Sequence, residues 1–509
     1  MTTVQLLMRS SFARTLVAIL GMIIAFNLMP FMVHGLGDKW YGIWAIISGI
    51  VGYYYLMDFG LASAVTRYVT LYTAKNDYRS ANVIINTSFV IYSALAAVLV
   101  IVTMLIAVCA GQFASRPEDV PVIRGVVVLM GLSLALEFPF KACSGIIGAH
   151  LRYDLLSYSH AVILLANAGA TVFFLKKGYG ILALAVVCFV GAQLSNIIYF
   201  LISRYLFKEL AFGRQFVEKD KIRTLWNYSV WTFIVQTADQ LRGRVGSVVI
   251  GFVFSAELVT HYYIGARFAE YLVHLILKAT NIITPIFTKY HATSSYDELR
   301  DKIILLTKIN AVLAMFGGGL IILLGKAFIW RWVGESYVDA YPVLVFLTIA
   351  GICEVVSTPV NNALYAIAKH QILGVTSTVE GLSCLLITIG LVYTMGITGA
   401  AIGTVVPMVL NRLIITPYLT CRAISLSPWR YYSSILTVGI FTSVYLGGGY
   451  AFAGQWTQQP QYAVLAMTAC LAGVPYSLGA LYVVFTSSER SLLLKLLPKR
   501  MRFTQKAET

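Results

Sequence analysis

Long apolar runs recur along the whole chain, separated by short polar segments. Each run is long enough for an α-helix to cross the hydrocarbon core of a bilayer, which takes about 20 residues. The pattern therefore predicts an all-α polytopic membrane protein with about 14 transmembrane helices. The predicted spans are 12–33, 40–60, 84–109, 122–147, 158–176, 181–203, 226–254, 259–286, 303–324, 340–366, 373–394, 400–421, 432–453 and 462–486.

The composition agrees with this membrane class. Of the 509 residues, 59% are hydrophobic and 12% are charged, whereas soluble domains carry about 25% charged residues. The longest gap between predicted spans, 204–225, is too short for a folded soluble domain. The start resembles a signal peptide because Arg9 and Arg14 precede an apolar run, but no small-residue cleavage site leads into a hydrophilic chain. It is read as the first span.

The net charge of +16 raises the question of a nucleic-acid partner. With the N-terminus inside, most Lys and Arg fall in cytoplasmic segments, as the positive-inside rule requires. The distribution of charge therefore predicts the orientation of the protein in the membrane, with both termini cytoplasmic. It does not indicate a nucleic-acid partner. Basic clusters at 204–223 and 490–506 are expected to touch anionic lipid. Docking of a partner protein by the tail is the alternative.

Signatures of enzymes and cofactors are missing from the sequence. The seven cysteines form no C-x-x-C pair, so neither a metal site nor a disulfide framework is expected. The chain contains no nucleotide-binding G-x-x-x-x-G-K-[ST] loop and no H-E-x-x-H motif, and its seven histidines are scattered. We therefore expect a protein that is not an enzyme, holds no cofactor and does not hydrolyse ATP.

An internal repeat organises the chain. Segment 131–150 aligns with 351–370 at an offset of 220. Further matches follow in the same order, 180–187 with 399–406 and 70–78 with 288–296. The identities in the first match are Gly131/Gly351, Pro139/Pro359 and His150/His370. Because the unit holds six spans, an even number, both copies cross the membrane in the same sense and are expected to be related by an axis along the membrane normal.

The repeat and the spans together predict the domain organisation. An N-terminal six-helix lobe occupies 1–203 and a basic cytoplasmic linker 204–225. The C-terminal six-helix lobe occupies 226–422, two additional helices lie within 432–486, and 487–509 form a basic cytoplasmic tail. A cleft between the lobes is the natural path across the membrane.

Charged residues inside the spans point to a hydrated cavity, since one at the bilayer centre costs about 2.5–3.5 kcal/mol. In the eighth span, polar residues recur at intervals of three and four, which places them on one helix face. They are Tyr263, Arg267, Glu270, Tyr271, His274 and Lys278. The seventh span carries Asp239, Arg242 and Arg244, and Glu137 and Lys141 are spaced i, i+4. Structural ion pairing is the alternative for each pair.

These charges define the predicted site. Arginine makes bidentate bonds to anionic, oxygen-rich groups such as phosphate. The residues expected to line a cationic substrate cavity are Arg242, Arg244, Arg267, Lys278, Lys141 and Arg67. A buried carboxyl can carry a coupling proton, and the candidates for ion coupling are Asp239, Glu270 and Glu354.

One stretch carries a family signature. Residues 34–68 contain Leu36-Gly37, Tyr41-Gly42, Asp58-Phe59-Gly60-Leu61 and Arg67. This pattern resembles the first hairpin of the polysaccharide flippases of the multidrug/oligosaccharidyl-lipid/polysaccharide exporter superfamily. An arrangement of six, six and two spans is also similar to that family and to multidrug and toxin extrusion transporters.

The resemblance implies a function and a location. Such a protein resides in the bacterial inner membrane and moves an undecaprenyl-diphosphate-linked oligosaccharide from the cytoplasmic to the periplasmic leaflet for O-antigen, capsule or exopolysaccharide assembly. It would bind the diphosphate and sugar in a cationic cavity between the lobes and draw on an ion gradient. Polysaccharide polymerase or assembly proteins are the partners implied.

Other functions stay open. A lipid II flippase is disfavoured because no arginine lies between Arg14 and His34, where those proteins carry several. A multidrug exporter of the same superfamily is disfavoured because basic residues outnumber acidic ones in the predicted lumen. A membrane-embedded polymerase or ligase would need a large outer loop, and those at 110–121 and 325–339 are short.

Overall fold

The described part of the chain is helical and contains no strand, which confirms the all-α class. The computed structural model describes residues 3–113, 116–150, 152–218, 220–222, 243–280, 296–367, 369–453 and 461–496. The helices are α1 (Thr3–Gly52), α2 (Leu61–Ala74), α3 (Tyr78–Val108), α4 (Val120–Ala149), α5 (Tyr153–Lys176), α6 (Gly180–Leu206), α7 (Gly243–Val253), α8 (Ala256–Thr280), α9 (Tyr296–Trp332), α10 (Tyr341–Ala366), α11 (His370–Val409), α12 (Thr416–Ala423), α13 (Pro428–Ala453), α14 (Tyr462–Val483) and α15 (Ser487–Leu496).

The helices have the lengths that a membrane requires. Within the described ranges, eight helical segments are long and apolar enough to cross a bilayer. Two of them, α1 and α11, each contain a glycine in a left-handed conformation, Gly37 (φ 76°) and Gly396 (φ 59°). Each is thus two helices joined at a kink, and each kink falls between two predicted spans. The multi-span fold is confirmed, and the count of 14 spans stays a prediction.

The repeat found in the sequence aligns several elements of the structure. Helix α3 begins at Tyr78, and the aligned Tyr296 is the first described residue of α9. Helices α4 and α10 each follow a short 3₁₀ turn, and each contains the aligned proline, Pro139 or Pro359. The organisation into two six-span units stays a prediction.

The helices pack into two compact units, one made of 1–263 with 377–403 and the other of 264–376 with 404–509. In the first unit, α4 packs against α2, α3 and α6, and α5 packs against α1 and α6. In the second, α9 packs against α10, α13 and α14. The Tyr476 ring stacks on Phe316 with centroids 4.2 Å apart in the core of this second unit. The division into lobes at 203 and 226 stays a prediction.

The segment after α6 is fixed to α3 by two asparagines. Asn82 Nδ2 donates to the Glu209 carbonyl at 2.8 Å, and its Oδ1 accepts from the Ala211 amide at 3.0 Å. One turn later, Asn86 Nδ2 donates to the Ala211 carbonyl at 2.8 Å, and its Oδ1 accepts from the Gly213 amide at 3.1 Å. Both side chains thus hydrogen-bond backbone amides and carbonyls of an extended segment. Because this segment is not helical, these groups lack the backbone partners that a helix would supply. The start of the predicted linker is therefore bound to the first unit.

Replacing Asn86 with Ala should release this segment. The Gly213 amide and the Ala211 carbonyl lose their side-chain partner, at a cost of about 1–3 kcal/mol. Hydrogen–deuterium exchange should show faster exchange across 209–216. Ser93→Ala on the same helix is the control, because the Ser93 hydroxyl donates to its own helix at Phe89. Equal exchange in both variants would show that the asparagine does not hold the segment.

Candidate functional site

The second predicted span, 40–60, is interrupted near its end. Helix α1 ends at Gly52, a 3₁₀ turn covers Tyr53–Asp58, and α2 begins at Leu61. Phe59 (φ 49°) and Gly60 (φ 74°) adopt the left-handed conformation at the break, which glycine tolerates without a steric penalty. Broken helices at membrane depth occur where the backbone is buried in protein or lines a cavity, and they mark binding sites in transporters.

An ion pair sits at this break. Asp58 Oδ1 accepts a hydrogen bond from the Tyr92 hydroxyl at 2.8 Å and lies 3.6 Å from Lys141 Nζ. The Lys141 and Asp58 side chains are 13% and 12% exposed. The ammonium also lies 4.2 Å from the centroid of the Phe138 ring and 5.1 Å from that of Tyr55, within cation–π range. The α4 cation is therefore held by a carboxylate from the break and by two aromatic rings.

The partner of Lys141 differs from the one suggested by helix spacing. The i, i+4 pattern pairs Lys141 with Glu137, whereas the ion pair in the described residues joins it to Asp58. Glu137 is half-buried one turn earlier on α4 and adds a second carboxylate to that part of the helix. Asp58 belongs to the Asp-x-Gly-Leu motif, so the motif was the signal that could have identified this partner.

Arg244 supports the helix just before the break. Its Nη1 donates to the Ser48 carbonyl at 3.1 Å, and its guanidinium packs directly against Gly52, where a side chain would overlap it. The structure thus places this predicted substrate-binding residue, at the start of α7, beside the end of α1. A rearrangement of the break would also shift the surroundings of Arg244.

The polar stripe of the second unit has the geometry that the sequence predicts. On α8, Arg267 Nη1 lies 2.6 Å from Glu270 Oε2, and His274 Nε2 lies 3.2 Å from Glu270 Oε1. The side chains are 29%, 44% and 53% exposed for Arg267, Glu270 and His274. Glu270 is therefore held between two basic groups on a partly exposed helix face, and its role in ion coupling stays a prediction.

Two of the remaining predicted site residues lie on the described helices α2 and α10. Arg67 is exposed on α2, with Cζ 5.8 Å from the centroid of the Tyr68 ring. Glu354 is half-buried within α10, before Pro359. Asp239 and Arg242 lie outside the described residues, and so does the side chain of Lys278. In the described part of the chain, no three His, Cys, Asp or Glu side chains come together as metal ligands.

The architecture is that of a membrane transporter. It combines a multi-span helical fold with a broken span and a buried ion pair. The family described as polysaccharide biosynthesis protein matches residues 7–291, more than half of the chain. The chain belongs to this family, and its resemblance to the polysaccharide flippases of the exporter superfamily is confirmed.

Relatives and solved structures agree with this family. A Shigella flexneri protein assigned as an O-antigen transporter is 20% identical over 412 residues, covering 77% of this chain and 93% of its own. The structure of the lipid II flippase MurJ in an inward closed conformation has a TM-score of 0.71 at 15% identity and covers 94% of this chain and 99% of its own. An inward-facing multidrug resistance transporter of the MATE family has a TM-score of 0.68 at 12% identity, covering 79% and 94%. The structural likeness shows the fold.

Proposed function

We propose that the chain is a flippase for an undecaprenyl-diphosphate-linked oligosaccharide. It moves this lipid from the cytoplasmic to the periplasmic leaflet of the bacterial inner membrane, for assembly of a surface polysaccharide. Membership of the polysaccharide biosynthesis family and the similarity to a protein assigned as an O-antigen transporter support this substrate class. The lipid-linked sugar, the membrane and a polysaccharide polymerase are the proposed partners.

The observation that carries the proposal is the Lys141–Asp58 pair at the helix break. The Lys141 ammonium can turn from Asp58 to a substrate phosphate, and Asp58 then keeps its hydrogen bond from Tyr92. Arg244, on the helix next to the break, adds a guanidinium suited to phosphate. In this proposal Arg67, Arg242, Arg267 and Lys278 complete the cationic surface.

The proposed movement is alternating access of two six-helix lobes, driven by an ion gradient. Carboxyl groups that change partners during the movement are the coupling candidates, namely Asp239, Glu270 and Glu354. Of these, Glu270 contacts both Arg267 and His274. The lipid tail stays in the bilayer while the polar head crosses.

Reconstitution of the purified protein in liposomes tests the proposal. Three fluorescent probes are compared: a polyprenyl-diphosphate oligosaccharide, lipid II and a cationic drug, each with and without an imposed ion gradient. We expect the oligosaccharide lipid to cross, faster with the gradient, and the drug to stay. Crossing of the drug alone would identify a multidrug exporter, and crossing of lipid II in preference to the oligosaccharide lipid would identify a lipid II flippase. Either result contradicts the proposal.

A further inference from the structure

A cavity of about 550 Å³ lies in the second unit, and none of its lining residues belongs to the broken span. It is enclosed by the first turns of α9, the first turns of α13 and the segment that joins α14 to α15. Its volume falls within the range of about 300–1,000 Å³ typical of ligand pockets. Since the predicted spans begin at 303 and 432 and end at 486, we place the cavity at the boundary between membrane and water.

One wall of the cavity carries a closed ion pair. Lys308 Nζ donates to both carboxylate oxygens of Glu489, at 2.8 and 3.1 Å, and to the Val484 carbonyl at 3.4 Å. Burial raises the pKa of Glu489, but hydrogen bonds from Lys308 and from the Thr486 amide outweigh it and hold this pKa below its ordinary value. Lys308 is thus neutralised by Glu489, and neither group is the primary attraction for a ligand.

The available positive charge lies elsewhere on the lining. Lys302 lines the cavity half-buried, and within the described residues it forms no ion pair. Arg430 pairs with Asp301 at 2.9 Å, but both side chains are more than half exposed, at 60% and 63%. Exposed pairs contribute about 0–1 kcal/mol, so this pair opens readily for a stronger anion. Lys302 and Arg430 are therefore suited to receive a phosphate.

Hydroxyl groups on α13 add a second chemical preference. Ser433, Ser434 and Thr437 each donate to a carbonyl of their own helix, at 3.2, 2.6 and 2.9 Å. Each hydroxyl proton is thus engaged in a hydrogen bond to the helix backbone. The hydroxyl oxygens can therefore act towards a ligand only as acceptors. A headgroup that carries its own hydroxyl donors suits such a wall better than one that carries only acceptors.

The cavity also has an apolar part. Its apolar lining consists of Ile304, Leu305 and Val484. Leu436 and Val483, which precede the lining residues Thr437 and Val484 in the chain, expose 54% and 61% of their surface. A ligand with a polar head and apolar tails satisfies both parts, whereas a free anion would leave the apolar part uncovered. Basic pockets between transmembrane helices on the cytoplasmic side are known to bind anionic lipid headgroups.

We propose that this cavity binds an anionic phospholipid whose headgroup carries hydroxyls, of the phosphatidylglycerol type, with its phosphate between Lys302 and Arg430. The lipid contacts α9, α13 and the start of α15 together. It therefore bridges α9, α13 and the segment after α14 within the second unit. This site is separate from the proposed substrate site and does not depend on the proposed function.

Lipid titration of the full-length protein, purified in a zwitterionic detergent, tests the site. Short-chain phosphatidylglycerol and phosphatidylcholine are compared by native mass spectrometry and by the melting temperature. We expect phosphatidylglycerol to bind at least tenfold more tightly and to raise the melting temperature. Equal binding of the two lipids would overturn the proposal. This comparison uses the unmodified protein, so it holds whether or not a variant folds.

Variants locate the site. Lys302→Gln and Arg430→Gln should each weaken phosphatidylglycerol binding about fivefold, the effect of one basic group on anionic lipid. The matched control is Lys326→Gln, an exposed lysine farther along α9 that does not line the cavity. An equal effect of all three variants would contradict the assignment. Inorganic phosphate and glycerol phosphate are tested alone, and displacement of the lipid by millimolar phosphate would indicate a site for a free anion instead.

Discussion

Replacement of Lys141 with Met is expected to abolish transport and to destabilise the protein by about 3–5 kcal/mol, the cost of removing one partner of a buried ion pair. Asp58 would keep its hydrogen bond from Tyr92 but would lose the ammonium 3.6 Å away, in a place where both side chains are nearly nine-tenths buried. The melting temperature of the purified protein and the liposome assay measure the two effects.

A double variant separates stability from function. Lys141→Met combined with Asp58→Asn removes both members of the ion pair and leaves Glu137 as the carboxylate beside them, so part of the lost stability should return. Transport should not return, because the cation that receives the phosphate is still missing. Full transport in either variant, with normal amounts of protein in the membrane, would remove Lys141 from the substrate site. Recovery of both stability and transport in the double variant would show that the pair is structural.

Replacement of Gly42 with Ala should produce the second large effect. A methyl group on Gly42 would overlap the backbone carbonyl of Ala256, and it would lie 3.0 Å from the Thr260 hydroxyl. That hydroxyl already donates to the Asp38 carbonyl at 2.7 Å, so it is not free to move away. Because a backbone atom cannot rotate aside as a side chain can, α1 and the start of α8 would have to separate. We expect a loss of stability of about 3 kcal/mol, the upper end of typical overpacking.

Gly169→Ala is the matched control for Gly42→Ala. Gly169 lies inside α5 with no atom within 4 Å of the added methyl group. There alanine should be neutral, or stabilising by up to about 1 kcal/mol, because it favours the helix. The thermal melting temperature and the yield of monodisperse protein report the difference. Equal melting temperatures for the two variants would show that the contact between α1 and α8 is not tightly packed.

The structure gives each glycine of the family motif a physical reason. Gly37 stands at the kink between the first two spans, and Gly42 allows the backbone of α8 to approach. Gly60 adopts the left-handed conformation at the break, directly after the residue pair Asp58-Phe59. The motif residues thus lie at a kink, at a helix contact and at a helix break that carries a buried carboxylate. A motif match could indicate the family, but it could not show which contact each residue makes.

Several features were predictable from the sequence because they depend on local geometry. Hydrophobic length predicted membrane-spanning helices, which the structure contains. The contacts of Glu270 with Arg267 and His274 follow from the helical period, which brings i, i+3 and i+4 together on any helix. The sequence could not predict that Lys141 binds Asp58 instead of Glu137, because that choice requires α4 to pack beside the break.

The sequence by itself determined the class of protein, the family and the local arrangement of charges along each helix, since all three follow from composition, motif and period. Only the tertiary structure decided which charges meet. The pairs Lys141–Asp58 and Lys308–Glu489, the contact of Arg244 with Gly52 and the anchoring of 209–213 by Asn82 and Asn86 join residues far apart in the chain. Such pairs depend on how helices pack, and helix packing is set by the shapes of many side chains together, which no short stretch of sequence contains.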